Sequence, residues 1–205
     1  MSAAVRHLAR CGQRTPSPSK VSDRSARDFH LVAVARHTKD YWLHIAVPVN
    51  ARLSTVDQFL RGIWLECCGH LSAFSIDGVR YATSPSPDAE EASMSATLGT
   101  ILDAGARFFY EYDYGSTTEL VLTAVGFRER TDRKPGVRLL ARNNPPERLC
   151  SECGSRKLAT DICVECAWTE KGFLCKECAE SHSCDPGMLL PVVNSPRAGV
   201  CGYTG

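Results

Sequence analysis

The chain of 205 residues lacks any apolar run near the roughly 18 residues that cross a bilayer, so nothing in it reads as a membrane-spanning helix. Its N-terminus carries Arg6, His7 and Arg10 but no apolar stretch behind them, which excludes the pattern of a secretory signal. A global charge bias is also missing. The net charge is +1, so no overall field steers the chain toward nucleic acid or an anionic membrane. Cysteine is scarce through the first three-quarters, where only Cys11, Cys67 and Cys68 occur out of eleven.

The other eight cysteines crowd the last quarter. The order is Cys150-x2-Cys153, nine residues, Cys163-x2-Cys166, eight residues, Cys175-x2-Cys178, then His182, Cys184 and later Cys201. A Cys-x-x-Cys knuckle aims two thiolates at one ion, and a tetrahedral zinc takes four such ligands. Three knuckles with a His and a Cys therefore match two zinc ions. In a cross-brace, Cys150, Cys153, Cys175 and Cys178 share one ion, while Cys163, Cys166, His182 and Cys184 share the other. Sequential pairing, with Cys150 to Cys166 on one ion and Cys175 to Cys184 on the other, fits the spacing as well. Cys201 is a ninth candidate that can replace Cys184. Eight or nine ligands for two ions leave no open position for water, so the zinc reads as structural rather than catalytic. Free thiolates without a secretion signal predict a reducing, cytoplasmic location.

Composition is otherwise that of a globular chain, 43% hydrophobic and 23% charged, which is enough for a buried core. Charge divides by segment. Residues 1–28 hold six basic side chains against two acidic ones and contain Thr15-Pro16-Ser17-Pro18-Ser19, the composition of a disordered basic tail. Residues 150–205 hold five basic against seven acidic side chains. This division predicts a tail over 1–28, an α+β domain over 29–142 and a zinc module over 148–205.

Within the middle segment, Tyr41, Leu43, Ile45 and Val47 alternate as in a half-buried strand, with Leu31 to Ala35 a weaker strand before it. Val56, Phe59, Leu60, Ile63, Trp64 and Cys67 repeat at helical spacing, predicting an amphipathic helix with Ser54 as N-cap and Gly69 as its stop. Asp77-Gly78 between alternating runs predicts a two-residue hairpin. A short helix over 95–102, a strand from Arg107 to Tyr114 and its partner over 120–125 follow. The segment Arg128 to Arg148 then carries seven basic residues against three acids.

Trp64, then His70-Leu71 and Phe74, then Tyr112-Asp113-Tyr114-Gly115, resemble the plasmid pRiA4b ORF-3-like family. There a helix ends in Trp, His-Leu and Phe follow, and a later strand ends in Tyr-Asp-x-Gly. The likeness spans residues 38–128 and implies an α+β fold with a curved sheet packed on helices, and no particular reaction. It departs after Gly115, where an acid and a Trp are common and Ser116-Thr117-Thr118-Glu119 stand instead. The C-terminal extension is similar in ligand order to B-box and other cross-brace fingers.

Other residues invite chemistry less strongly. Cys67, Cys68 and His70 suggest a thiol or metal site, but adjacent cysteines on a helix point about 100° apart and chelate poorly. Glu111 and Asp113 read as a solvated strand face rather than a carboxylate pair. Tyr110, Tyr112 and Tyr114 read as sheet core rather than a base-stacking platform. The chain thus reads as a non-enzymatic zinc protein, an adaptor or scaffold that recognises another protein. The alternative is nucleic-acid binding through residues 128–148, and the second alternative an enzyme of unknown reaction. Seven thiolates against two divalent ions leave three negative charges on an already acidic module, which opposes phosphate contacts there.

Overall fold

The computed structural model describes residues 27–130, 136–154, 156–169 and 171–205. The expected basic tail up to residue 26, and Arg133 and Lys134 of the basic segment, lie outside the described residues.

The first element, β1 (Arg27–Ala35), pairs with β2 (Trp42–Pro48) as an antiparallel hairpin. Then come α1 (Leu53–Leu60) and, after a hairpin of β3 (Ser72–Ile76) and β4 (Val79–Ala82), the two-residue β5 (Ala92–Ser93) and the one-turn α2 (Leu98–Ile101). Three long-range strands complete the sheet: β6 (Arg107–Tyr112), β7 (Thr118–Glu129) and β8 (Arg138–Arg142). The eight strands run in the order β5-β4-β3-β6-β7-β1-β2-β8. Every pairing is antiparallel except β4 with β5, which makes the sheet mixed. Strands dominate this mixed α/β architecture, so the expected packed helices reduce to α1 and a single turn.

The sequence pattern explains the layering. On one sheet face Phe29, Leu31, Leu43, Ile45, Phe108, Tyr110, Leu120 and Leu122 alternate inward, and all are buried. Leu53, Val56, Leu60 and Trp64 of the helical segment cover that face. Asp77 and Gly78 both take positive φ, +47° and +82°, the signature of the expected two-residue turn.

The helix departs from expectation at both ends. Ser54 is not its N-cap: the chain is already helical at Leu53, and Arg52 at the cap position makes no side-chain cap bond. Backbone carbonyls do the capping instead, since Leu53 N–H donates to Ala96 O at 3.0 Å and Ser54 N–H to Met94 O at 2.9 Å. At the far end, Arg61–Leu65 widen into a π-turn that buries both Trp64 and Leu65. The chain leaves the helix at Glu66, whose ψ of 120° is extended, so Cys67, Cys68 and Gly69 are not helical.

Asp57, expected to serve the helix dipole, is instead a buried acceptor. It takes hydrogen bonds from Ser72 Oγ at 2.6 Å, Tyr110 Oη at 2.7 Å and Arg61 Nε at 2.9 Å. Arg61 also donates to the carbonyl of His70 at 2.7 Å, which fixes the turn after the helix.

The C-terminal part is built on a second, three-stranded antiparallel sheet. Its order is β10 (Phe173–Leu174), β9 (Asp161–Cys163), β11 (Leu189–Pro191), with α3 (Lys176–Glu180) following β10. Residues 194–203 then turn back onto the large sheet domain. Asn143 Nδ2 donates to Asn194 Oδ1 at 2.7 Å, and Ser195 Oγ donates to the carbonyl of Trp64.

Replacing Asp57 with Ala strands Tyr110 Oη and the Arg61 guanidinium in a buried pocket. The expected cost is on the order of 3 kcal/mol, read as a lower denaturant midpoint with an unchanged slope. A loss below about 1 kcal/mol would show that the carboxylate does not anchor this layer.

Candidate metal centres

Short-range backbone pairing forms the knuckles. Cys150 N–H donates to Lys157 O at 2.9 Å, and Ser151 N–H to Phe173 O at 2.8 Å, which ties the first knuckle to β10. Gly154 follows Cys153 with φ of +59°, a left-handed turn that lets the loop fold back under its thiolates. Cys163 N–H donates to Gly172 O at 2.9 Å, so the second knuckle begins where β9 ends. Gly172 passes so close to that knuckle that a Cβ there would lie 2.7 Å from Ala167 Cα. Cys175 precedes α3 and Cys178 rides on it, so one helical turn sets their separation.

These knuckles bring together two four-ligand groups. Cys150, Cys153, Cys175 and Cys178 form one, and Cys163, Cys166, His182 and Cys184 the other, with all ligand atoms in a group within 4.8 Å of one another. The pairing is the cross-brace, first knuckle with third, and the sequential alternative is not formed. Cys184, not Cys201, completes the second group. Cys153 and Cys175 sulfurs are 3.9 Å apart, and Cys166 and Cys184 sulfurs 3.7 Å. Two thiolates on a tetrahedral zinc, each about 2.3 Å from the ion, stand about 3.8 Å apart. The observed spacing is that of ligands around an ion.

Four thiols this close cannot all ionise unaided. Burial raises Cys150, but N–H groups of Cys153, Cys175 and Glu152 outweigh it and bring the thiol down to about 6. Loss of hydration and then the neighbouring Cys175, Cys150 and Cys153 sulfurs push Cys178 up to about 12. The same opposition separates Cys163, which is lowered, from Cys184, which is pushed up to about 12 chiefly by Cys166. A divalent cation removes this mutual penalty and lets every thiolate form.

The second group also has an outer partner. His182 turns Nε2 toward Cys166 Sγ at 3.5 Å, while its Nδ1 lies 3.4 Å from the Glu152 carboxylate. A carboxylate on the far nitrogen holds a ligating imidazole in the tautomer that metal needs. Glu152 sits inside the first knuckle, so each group helps to orient the other.

A third group was not expected. Cys67, Cys68, His70 and Cys201 also place their ligand atoms within 4.8 Å of one another. The helical argument against Cys67 and Cys68 fails because the helix ends before them. Asp113 is likewise not on a solvated strand face. It follows β6 with φ of +64°, is buried, and pairs with Arg197 Nη2 at 2.6 Å. Glu111 pairs separately with Arg80 at 2.7 Å, so no carboxylate pair forms. Tyr110 and Tyr112 are buried in the sheet as expected, whereas Tyr114 lies beyond β6 and is exposed. Arg197 carried no sequence signal, yet it is fully buried under Asp113, Thr118 and Cys67.

No family model and no curated protein matches the chain. Among solved structures, it is similar to a protein of unknown function, MM3350 from Methanosarcina mazei Go1, at 16% identity and a TM-score of 0.49. That likeness covers 57% of this chain and 68% of the other.

Metal content of paired variants separates the two pairings. In the cross-brace, Cys153→Ser/Cys178→Ser disrupts one centre and is expected to lose one ion, whereas Cys153→Ser/Cys166→Ser disrupts two and loses two. The opposite pattern would require sequential pairing.

Proposed function

We propose that the protein is a non-enzymatic adaptor or scaffold whose C-terminal module is held by two structural zinc ions and recognises another protein. The observation that carries this reading is closure. Each group of the cross-brace supplies four Cys or His ligands, and a tetrahedral zinc filled in this way keeps no position for water or substrate. Thiolate-rich donors suit zinc. They also suit a reducing compartment such as the cytoplasm, where the ligands stay reduced. Among the described residues no helix is long and apolar enough to cross a membrane. The preceding sheet domain is proposed to be of the pRiA4b ORF-3-like kind.

Two features favour a protein partner. Leu149 and Leu158 face each other across an antiparallel bridge beside the first knuckle, and they are 52% and 55% exposed. Paired exposed leucines on a rigid metal-held edge make an apolar anchor of the sort that protein interfaces use. The basic segment, by contrast, spends its guanidinium groups internally. Arg130 and Arg138 both bind the buried Asp28, Arg142 donates to Asn194 O, and Arg148 pairs with Asp40. Phosphate binding at residues 128–148 would have to break these pairs.

The test compares tagged wild-type chain with Leu149→Asp/Leu158→Asp by quantitative crosslinking in cells, alongside nucleic-acid titrations over a salt series. The expected result is a defined protein partner whose capture falls at least tenfold in the variant while its zinc content stays unchanged. Binding to nucleic acid that weakens steeply with salt, with partner capture indifferent to the two leucines, would overturn the reading.

A further inference from the structure

We propose a third zinc centre, formed by Cys67, Cys68, His70 and Cys201, that fastens the C-terminal segment to the sheet domain. The ligands come from two places. Cys67, Cys68 and His70 lie in the turn between the helical segment and β3, and Cys201 lies more than 130 residues later. Cys67 and Cys68 sulfurs are 3.6 Å apart, and Cys68 and Cys201 sulfurs 3.7 Å. These separations equal the 3.7 Å between Cys166 and Cys184 in the cross-brace, and they match the roughly 3.8 Å edge of a zinc–thiolate tetrahedron. His70 directs Nε2 into the same space, 2.9 Å from Cys68 Sγ and 3.2 Å from Cys201 Sγ.

The surroundings of the histidine point to a ligand independently of the cysteines. While Nε2 faces the sulfurs, Nδ1 lies 3.5 Å from the Asp113 carboxylate. The carboxylate–imidazole–metal order is the outer-shell arrangement that ligating histidines take. His182 and Glu152 repeat it in the cross-brace. Asp113 is itself fixed, pairing with the buried Arg197 and accepting from Gly115 N–H at 3.0 Å. The turn is fixed too, because Gly69 N–H donates to Glu66 Oε1 at 2.6 Å and Arg61 holds the His70 carbonyl.

Charge is balanced locally. Three thiolates and one divalent ion leave a single negative charge, and Arg197 Nη2 lies 3.5 Å from Cys67 Sγ to meet it. Backbone strain supports the same placement. Cys201 takes φ of +50° between Val200 and Gly202, an uncommon conformation for a side chain with a Cβ, and it turns the sulfur toward Cys68.

The consequence is mechanical. Residues 194–203 already touch the sheet domain through Ser195 and Arg197, and an ion on Cys201 locks that contact across the length of the chain. Cys68 and Cys201 are exposed, whereas Cys150, Cys163 and Cys175 are buried, so this ion exchanges first with a chelator. The fastening is therefore the metal-sensitive joint of the molecule.

Native mass spectrometry of the full chain, purified with zinc under reducing conditions, tests the proposal. Cys201→Ser is expected to hold one zinc fewer than wild type, and Cys67→Ser/Cys201→Ser no fewer than that. Cys163→Ser/Cys201→Ser is expected to lose two. His70→Ala is expected to lose the same ion as Cys201→Ser, with His70→Cys retaining it. Carboxypeptidase removal of the C-terminal residues is expected to run at least tenfold faster in Cys201→Ser. A zinc count unchanged by Cys201→Ser, or a Cys68–Cys201 disulfide in the reduced protein, overturns the third centre. The cross-brace stands or falls separately on the ion lost in Cys163→Ser.

Discussion

Thiolates a few ångströms apart repel one another, and in this protein only a cation relieves the repulsion. All ten cysteines among the described residues fall into three such groups. The sheets, turns and glycines of the C-terminal part serve to bring sulfur atoms to ligand distance. Few apolar side chains are buried there: Ile162 and Leu174 in the small sheet, with Tyr203 near the chain's end. Burying each contributes roughly 1.5–3 kcal/mol, set against apparent zinc-binding free energies of roughly 10–16 kcal/mol per structural site. The metal term is the larger, so the fold of residues 150–191 depends on it.

The sheet domain follows a different logic. Its core is continuous, from Phe29 on β1 through Trp64 at the helix end to Leu122 on β7, and every one of these is fully buried. Buried polar groups are held by specific partners. Asp57 gathers Ser72, Tyr110 and Arg61, and Asp28 gathers Arg130 and Arg138. A hydrophobic body and a metal-stapled module then meet at residues 194–203. There the Arg197 guanidinium stacks 4.8 Å over the Tyr112 ring and pairs with Asp113. The joint is a buried charge network beside a thiol cluster, so one event at the sulfurs is felt at the interface between the two halves.

Local patterns were legible in the sequence. The knuckles were readable because each places its ligands two residues apart, and the Asp77-Gly78 hairpin because both positions need positive φ. Val56, Leu60 and Trp64 announced the helix by spacing alone. What the sequence hid was set at long range. The cross-brace and sequential pairings have the same local spacing, and only β9 between β10 and β11 selects the first. The π-turn at Arg61–Leu65 ends the helix early and frees Cys67 and Cys68 from helical geometry, which periodicity does not show. Asp113 and Arg197 meet across 84 residues, and neither carries a motif. Ser54 looked like a cap because capping by carbonyls of a distant segment leaves no local trace.

The measurement that bears most directly on metal dependence is native-state amide hydrogen exchange of the full chain with zinc and after chelation. The amides of Thr160, Cys163, Val164 and Val192 donate to backbone carbonyls within the module, and they are expected to lose protection by orders of magnitude when zinc is withdrawn. Amides of β1 and β7 at the centre of the large sheet are expected to keep theirs. Unchanged protection at Thr160 and Cys163 after complete removal of metal would contradict the account, because the module would then be held by its own packing.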